Sequence, residues 1–251
     1  MSAPRISPAK PGLLLSTVKS VSRELLPPEL LGRLDYYRFP KLKRGFGGPF
    51  NGQEGRRAIF HAVLEKCDFA AVIETGTYRG TTTEYMAECA KLPTFTVELD
   101  RRIAGYAKAR LRRFLNVKVL SMDSRAAIRH IPPSVGTPFC YLDAHWNDDL
   151  PLGDEVDMIL HRWPEAVIMV DDFEVPDDPG YAYDDYGPSK KLCLQYLCDS
   201  THIGCSFFFP TLHSSQETGL RRGCVVLAKS STSNVDRLAL VPQLRQWQPT
   251  S

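Results

Sequence analysis

Short apolar runs alternate regularly with amphipathic segments from residue 56 onward. The runs have the length of strands buried in a parallel sheet, and the segments between them repeat apolar side chains every three or four residues, as helices do. Strands are predicted at 70–74, 95–99, 117–121, 138–143 and 166–172. Helices are predicted at 56–66, 83–91, 101–115, 124–130, 153–163 and 189–199. This alternation predicts a parallel sheet with right-handed crossovers.

The chain leaves this alternation near its C-terminal end. Two final apolar runs, 202–209 and 223–229, are separated by a polar connection without a helical pattern, so they should pair antiparallel. The predicted fold class is therefore α/β: a doubly wound, seven-stranded, mostly parallel sheet with an antiparallel C-terminal hairpin. This domain is predicted to span residues 51–230, and the tail 231–251 has no strong pattern.

Residues 1–50 form a predicted N-terminal extension, rich in proline and glycine, with short helices near 12–25 and 28–37. Residues 1–60 carry eleven Lys and Arg side chains against four acids, whereas residues 143–186 carry fourteen acids against one base. The basic segment is either a solvated extension or a contact for an acidic partner or a membrane surface. The acidic segment includes predicted strand ends, where α/β proteins place their sites.

The overall composition argues against several classes of protein. The net charge is only +2, which disfavours a general nucleic-acid binder, and no apolar run approaches the roughly 20 residues that span a bilayer. The first residues contain an apolar core of three leucines, too short for a signal peptide. The seven cysteines predict buried free thiols in a reducing compartment. We therefore expect a cytoplasmic protein with no transmembrane segment and no nucleic-acid partner.

The turn after the first strand carries the strongest functional signal. Glu74 ends that strand, and the chain continues TGTYRGTT into a helix. Glycines in such a turn allow the backbone to approach a ligand, and the helix N-terminus offers free N–H groups. The turn matches neither GxGxxG nor GxxxxGK[ST], and its leading carboxylate would repel a pyrophosphate but attract an amino group or a sulfonium. The alternative is a purely structural turn.

The next two strands also end in acids. Glu98 ends the second strand about twenty residues after the turn, where a carboxylate can accept both hydroxyls of a ribose. Its alternative role is a helix N-terminal charge beside Asp100. Asp123 follows the third strand, and it either caps the next helix with Ser124 or reaches an adenine amino group.

Together these strand ends resemble the class I S-adenosylmethionine-dependent methyltransferases over residues 52–229. The likeness is sharpest at residues 74–82, which are similar to the Glu-x-Gly-x-Tyr-x-Gly-x-Ser/Thr stretch of catechol O-methyltransferase and its small-molecule relatives. The resemblance implies S-adenosylmethionine as cofactor and O-methylation of a small-molecule or sugar hydroxyl as the reaction. It assigns the cofactor contacts to Glu74, Gly76, Tyr78, Gly80, Thr82 and Glu98, and Asp123 completes the predicted set.

Three carboxylates follow the fourth and fifth strands. Asp143 ends the fourth, while Asp171 and Asp172 end the fifth, so neighbouring strands would bring them to one edge of the sheet. Crowded like charges share protons or bind a cation, and oxygen-only ligands suit Mg²⁺. The catechol-type enzymes place Mg²⁺ on an Asp after strand four and an Asp-Asp or Asp-Asn pair after strand five, so the resemblance implies these three ligands. The alternative is that they are cap and loop charges.

Residues 143–146 are similar to the Asp-His-Trp-Lys motif of the catechol enzymes, whose Trp packs on the adenine. The resemblance therefore places Trp146 against the cofactor. The chain departs from the motif twice, because Ala144 is inserted and Asn147 stands where the catalytic Lys would be. The catalytic base consequently does not carry over.

His145 is the nearest candidate base, since its unperturbed pKa suits proton transfer near neutrality. Bacterial sugar O-methyltransferases of the macrocin type, which have similar metal sites, use a His base. The alternative for His145 is a packing role. Lys190 and Lys191 are the remaining candidates.

The segment 171–187 is long for a connection in a compact fold and carries several tyrosines, which predicts either a lid that stacks on the acceptor or a rigid surface loop. It closely resembles bacterial proteins of unassigned role with the pattern DDFxVPDDPGYxYDDYG, which implies no substrate. The glycine-rich segment 45–52 is predicted to fold over the same edge, with Phe46 and Phe50 as apolar cover. The alternatives are an N-terminal arm packed permanently on the domain or one that forms a homodimer.

Two other functions fit parts of this pattern. A cephalosporin-hydroxylase-like enzyme shares the architecture, but the sequence has no evident pair of histidines for an iron site. A non-catalytic module that docks a partner through its basic segment would not need an intact cofactor turn.

Overall fold

The computed structural model describes residues 26–145 and 149–248. In this part of the chain the strands are β1 (Ala71–Thr75), β2 (Thr94–Glu98), β3 (Val117–Ser121), β4 (Pro138–Leu142), β5 (Val167–Asp171), β6 (Cys205–Pro210), β7 (Cys224–Lys229) and β8 (Leu244–Gln246). The helices are α1 (Pro28–Arg38), α2 (Glu54–Lys66), α3 (Thr81–Ala90), α4 (Arg101–Leu111), α5 (Ser124–His130), α6 (Leu152–Arg162), α7 (Leu194–Ser200) and α8 (Ser233–Ala239).

The strands form one sheet in the order β3-β2-β1-β4-β5-β7-β6-β8. The first five strands pair in parallel, and β7 lies antiparallel between β5 and β6. Every residue of β1, β4 and β5 is buried, because helices cover both faces of the central sheet. The predicted doubly wound, mostly parallel sheet with an antiparallel C-terminal hairpin is confirmed.

Two apolar cores lie on opposite faces of the sheet. One includes Phe60 of α2 and Met86 of α3. The other includes Ile128 of α5 and Ile159 of α6. Side chains alternate between the two faces along each strand, so Val72 belongs to the first core and its neighbour Ile73 to the second.

Residues 231–251, predicted as a C-terminal tail beyond a seven-stranded sheet, contain two further elements within their described part. The segment forms α8 and then β8, which adds an eighth strand at the edge of the sheet beside β6. The ring of Trp247 packs edge-on against Phe209, with 5.7 Å between ring centroids. A three-residue strand is too short to give a periodic signal, and its pairing depends on a neighbour far away in sequence.

The N-terminal extension packs on the domain through α1, close to the predicted helix at 28–37, whereas the helix predicted near 12–25 lies outside the described residues. Contact between α1 and α4 is close, because a Cβ added to Gly32 would lie 1.7 Å from the carbonyl oxygen of Arg102. Ion pairs flank this contact, including Arg102 with Asp35 at 2.6 Å and Lys108 with Glu29 at 3.1 Å. Short 3-10 turns then lead from α1 across the carboxyl edge of the sheet towards α2.

The tyrosine-rich segment after β5 is an ordered loop on the domain surface. Phe173 and Tyr181 are buried, and the backbone N–H of Asp184 donates to the carbonyl of Asp172 at 2.9 Å. The helix predicted from residue 189 begins only at Leu194, because residues 189–193 continue the loop. All seven cysteines are free thiols, and no helix among the described residues is long and apolar enough to cross a membrane.

Candidate functional site

A cavity of about 870 Å³ opens at the carboxyl edge of the sheet. Its walls come from the turn after β1, from the ends of the next four strands, and from three segments that pass over the edge: 45–51, 184–186 and 220–222. Open α/β sheets bind ligands at this edge, because the strand ends diverge there and leave a crevice.

The turn after β1 forms the narrow base of this cavity. Gly76 has a φ of +82°, and a Cβ at this position would lie 2.1 Å from the carbonyl oxygen of Asp143. Only glycine fits both conditions. Tyr78 also takes a positive φ of +47°, and Gly80 begins α3 in the left-handed conformation. The turn therefore exposes backbone to the cavity at residues 76–78.

Glu74 lies beneath this turn and is almost completely buried, at 1% exposure. The hydroxyls of Thr83 and Thr96 both donate to its carboxylate. Burial raises the pKa of Glu74 to about 7. Glu74 can therefore offer an anionic or a neutral acceptor to a ligand near neutral pH.

Glu98 presents a carboxylate whose orientation is set by two backbone amides. The N–H of Tyr78 donates to one oxygen at 2.8 Å, and the N–H of Asp100 donates to the other at 2.9 Å. The carboxylate lines the cavity, so its remaining lone pairs are available there. Two fixed acceptor oxygens suit a pair of neighbouring hydroxyls.

Apolar side chains also line the cavity. They are Leu99, Ile103 and Met122. Asp123 lines the cavity as well, and it caps α5 by accepting from the N–H of Ala126 at 3.1 Å. The predicted capping role of Asp123 is thus observed, and its adenine contact stays a prediction.

Of the other predicted cofactor residues, Tyr78 and Thr82 line the same cavity, whereas Gly80 is not part of its described wall. The hydroxyl of Thr82 accepts from the N–H of Phe50 at 3.2 Å. The ring of Tyr78 lies 5.5 Å from that of Phe46, between centroids, which brings the N-terminal segment over the turn. Trp146 lies outside the described residues, so its predicted packing on the adenine stays untested.

One part of the cavity wall, which we call the acidic end, carries several carboxylates. One ligand atom from each of Asp143, His145 and Asp172 lies within 4.8 Å of the others. The Oδ1 of Asp143 is 3.9 Å from the Nε2 of His145. Partial desolvation in the cavity raises the pKa of Asp143, and repulsion from Asp172 acts in the same direction. Asp172 is held at a positive φ of +53°, an uncommon conformation for a non-glycine residue.

Asp171 does not join this group, although the sequence analysis placed it there with Asp143 and Asp172. Its buried carboxylate forms an ion pair with Arg56 of α2, and the hydroxyl of Tyr141 donates to it. The side-chain amide of Asn51 adds a third contact at 3.2 Å. The structure thus separates Asp171 from Asp172, and it brings His145 to the carboxylates instead.

His145 is 3% exposed, and no described residue offers a hydrogen-bond partner to its Nε2. Burial lowers its pKa, so the imidazole is neutral near pH 7 and can accept a proton or a cation. Lys191 is a poor alternative base, because its ion pair with Glu174 at 2.7 Å raises its pKa. Neither Lys191 nor Lys190 belongs to the described cavity wall.

The sequence analysis did not identify Arg222, whose guanidinium lies at the acidic end. Its Nε lies 2.6 Å from Asp172, and its guanidinium also contacts Asp184. The side-chain amide of Gln53 pairs with the backbone of Arg222 in both directions, at 2.8 and 2.9 Å. Arg222 follows Asp172 by fifty positions and belongs to no local motif, so the sequence carries no signal for this contact.

No protein-family model matches the chain, and no curated protein matches it. Among solved structures, the chain is similar to the O-methyltransferase TomG from Streptomyces achromogenes, involved in tomaymycin synthesis and solved in complex with SAM. The TM-score is 0.52 at 17% identity, over 86% of this chain and 96% of TomG. The O-methyltransferase from Bacillus cereus, solved with SAH, matches at a TM-score of 0.49 and 18% identity, over 85% of this chain and 97% of that chain. The match with TomG shows that the two chains share a fold, in agreement with the predicted doubly wound, mostly parallel sheet.

Proposed function

We propose that this protein is an S-adenosylmethionine-dependent methyltransferase that acts on a hydroxyl of a small molecule or sugar, assisted by a divalent cation. One observation carries the proposal. A single cavity contains the turn after β1 and the Glu98 carboxylate, which suit an adenosyl group. The same cavity contains an acidic end with the neutral side chain of His145. The shared fold with TomG, which is solved in complex with SAM, adds support.

The residues of the first half of the cavity fit the cofactor by their chemistry. Glu98 offers fixed acceptors for the ribose hydroxyls, and the apolar side chains of the cavity wall suit a flat adenine ring. Glu74 and the exposed backbone of the turn suit the amino acid end of the cofactor, because a carboxylate attracts its ammonium group. Tyr78 and Thr82 complete the proposed contacts, and Gly80 would act through the left-handed conformation that it gives the turn.

The second half of the cavity would hold the acceptor. S-adenosylmethionine supplies an activated methyl group, and displacement at methyl requires a nucleophile held in line. A cation bound at the acidic end would lower the pKa of an acceptor hydroxyl and orient it. His145 would serve this chemistry either as a proton acceptor or as a cation ligand, and both uses need the neutral imidazole that burial favours.

The charge of the cavity restricts the acceptor. The acidic end is lined by Asp143, Asp172 and Asp184. Arg222 is the basic side chain of the described wall there, and it is already paired with Asp172 and Asp184. Arg222 and a bound divalent cation would together balance these three carboxylates, so an anionic acceptor would find no net positive charge there. We propose a neutral or cationic acceptor, such as a sugar or an aminosugar.

Calorimetric titration with S-adenosylmethionine tests the cofactor assignment. Glu98→Gln removes the charge of the ribose acceptor, so affinity should fall by roughly 1.5–3 kcal/mol, or about tenfold or more. Glu88→Gln is the matched control, because Glu88 is half exposed on α3 and pairs only with Arg113 among described residues. Equal affinity of the Glu98 variant and the wild type would refute this role. Methyl transfer to a panel of neutral, cationic and anionic hydroxyl compounds then tests the reaction.

A further inference from the structure

We infer that Asp143, His145 and Asp172 form a mixed nitrogen–oxygen cation site, which takes a divalent transition ion such as Mn²⁺ or Fe²⁺ in preference to Mg²⁺. The inference deepens the proposed function and rests on it only for the role of the ion, because binding of the ion requires neither cofactor nor acceptor. The sequence predicted three oxygen ligands, Asp143, Asp171 and Asp172. In the inferred site His145 replaces Asp171.

The three side chains converge from two neighbouring strands. Asp143 and His145 follow β4, and Asp172 follows β5, its parallel neighbour. Their candidate ligand atoms lie within 4.8 Å of one another, so one ion placed between them would need only small side-chain adjustments. The carboxylates would supply the negative charge that a divalent ion requires.

His145 supplies the second, independent observation. Its side chain is buried, it lines the cavity, and its Nε2 has no hydrogen-bond partner among the described residues. A buried polar atom without a partner costs free energy, so such atoms usually mark a bound ion, a water or a functional contact. An ion at the neighbouring carboxylates would give this nitrogen its partner.

Surrounding contacts support the three ligands. The carbonyl of His145 lies 2.9 Å from the hydroxyl of Tyr186, which also contacts Asp184. Arg222 contacts Asp184 as well as Asp172. Residues that orient ligands in this way strongly affect metal affinity. Asp171 is unsuited as a ligand, because both of its carboxylate oxygens already have partners. At Asp172 the contact with Arg222 occupies only Oδ1.

The donor set determines which ion fits best. Mg²⁺ prefers oxygen ligands and retains several waters, whereas imidazole nitrogen binds first-row transition ions more strongly. A site with one histidine and two carboxylates therefore favours Mn²⁺ or Fe²⁺. Mg²⁺ would bind through the carboxylates and gain little from His145.

The test measures binding of Mn²⁺ to the whole 251-residue chain by electron paramagnetic resonance, first with Mn²⁺ alone and then with Mg²⁺ as competitor. We expect Mn²⁺ to bind about tenfold or more tightly than Mg²⁺, and pulsed spectra to contain the ¹⁴N coupling of a coordinated imidazole. His145→Ala should abolish the ¹⁴N coupling and weaken Mn²⁺ binding about tenfold or more, with little effect on Mg²⁺. Asp143→Asn should weaken both ions.

His202→Ala is the control, because His202 is exposed and precedes β6 away from the cavity wall. This variant should leave both the affinity and the ¹⁴N coupling unchanged. The inference is overturned if Mn²⁺ does not bind, if its spectrum lacks ¹⁴N coupling, or if His145→Ala binds Mn²⁺ like the wild type. S-adenosylmethionine binding measured on the same samples distinguishes a failed cation site from a failed methyltransferase assignment.

Discussion

The guanidinium of Arg222 donates to the carboxylate of Asp172, with 2.6 Å between Nε and Oδ1. The same guanidinium contacts Asp184 in the tyrosine-rich loop, so one cation joins the end of β5 to the loop that borders the cavity. Both partners are largely buried in this ion pair, with 22% and 17% of their side-chain surfaces exposed. The shape of the acidic end therefore depends on Arg222.

Arg222→Gln should destabilise the protein, because it leaves Asp172 and Asp184 close together without a cation. The loss should be about 1.5–3 kcal/mol in the free energy of unfolding, as measured by urea titration. Arg221→Gln is the neighbouring control, since Arg221 is exposed and donates only to the carbonyl of Glu217 among described residues. Similar losses in both variants would contradict the role assigned to Arg222.

Gly76→Ala should prevent cofactor binding and destabilise the fold. The added methyl group would overlap the carbonyl of Asp143 and would also strain a residue at positive φ. Overpacking and strain together should cost about 2–5 kcal/mol. Gly187→Ala is the matched control, because Gly187 has a φ of +103° but no neighbouring atom within 4 Å of an added Cβ. Thermal unfolding should separate the two variants, and equal losses would show that the contact with Asp143 is unimportant.

Glu155 should make the protein less stable as the pH rises. Burial raises the pKa of this α6 carboxyl to about 7, so the unfolded chain releases a proton between about pH 4.5 and pH 7 that the folded chain retains. The free energy of unfolding consequently falls across this window and levels off above it. Glu155→Gln removes the effect, so its stability relative to the wild type should increase by on the order of 3 kcal/mol from about pH 4.5 to pH 8.

Urea titrations at the two pH values measure this difference for Glu155. Glu74 shifts in the same direction, but it lies in the proposed cofactor site, which makes Glu155 the cleaner choice. Glu88→Gln is again the exposed control and should show no comparable change. A constant difference between Glu155→Gln and the wild type at both pH values would contradict the prediction.

The N-terminal segment 45–52 should become more protected from proteolysis when ligands bind. Phe46 is 55% exposed, yet it lines the cavity beside Tyr78, so a bound cofactor would bury more of its ring. Limited proteolysis with S-adenosylmethionine and Mn²⁺ or Mg²⁺ present should slow cleavage near residues 43–52 and 177–187. Phe46→Ala should weaken cofactor binding severalfold, whereas Phe39→Ala, a change at another exposed ring, should not. Equal protection with and without ligands would exclude a lid.

Local sequence patterns were sufficient to predict the chain order of the elements from α2 to β7 and the turn after β1. These features depend on local patterns: apolar periodicity, short buried runs, and glycines at a strand end. For the same reason Glu74, Gly76 and Glu98 were predicted at one cavity edge, and the structure places all three there. The short strand β8 was not predicted. Its three residues are too few to show a periodic pattern, and its pairing with β6 at the sheet edge is not visible in the sequence.

Which carboxylates share the acidic end depends on contacts between residues that are distant in the sequence. Asp171 and Asp172 are adjacent in sequence, but the fully buried strand ends with Asp171 turned towards Arg56, which comes from a helix 115 positions earlier. Asp172 forms an ion pair with Arg222, which lies fifty positions later in the sequence. His145, rather than Asp171, lies close to Asp143 and Asp172. Charge pairing in a buried site depends on which side chains meet in space, because a buried carboxylate must find a partner wherever the fold supplies one.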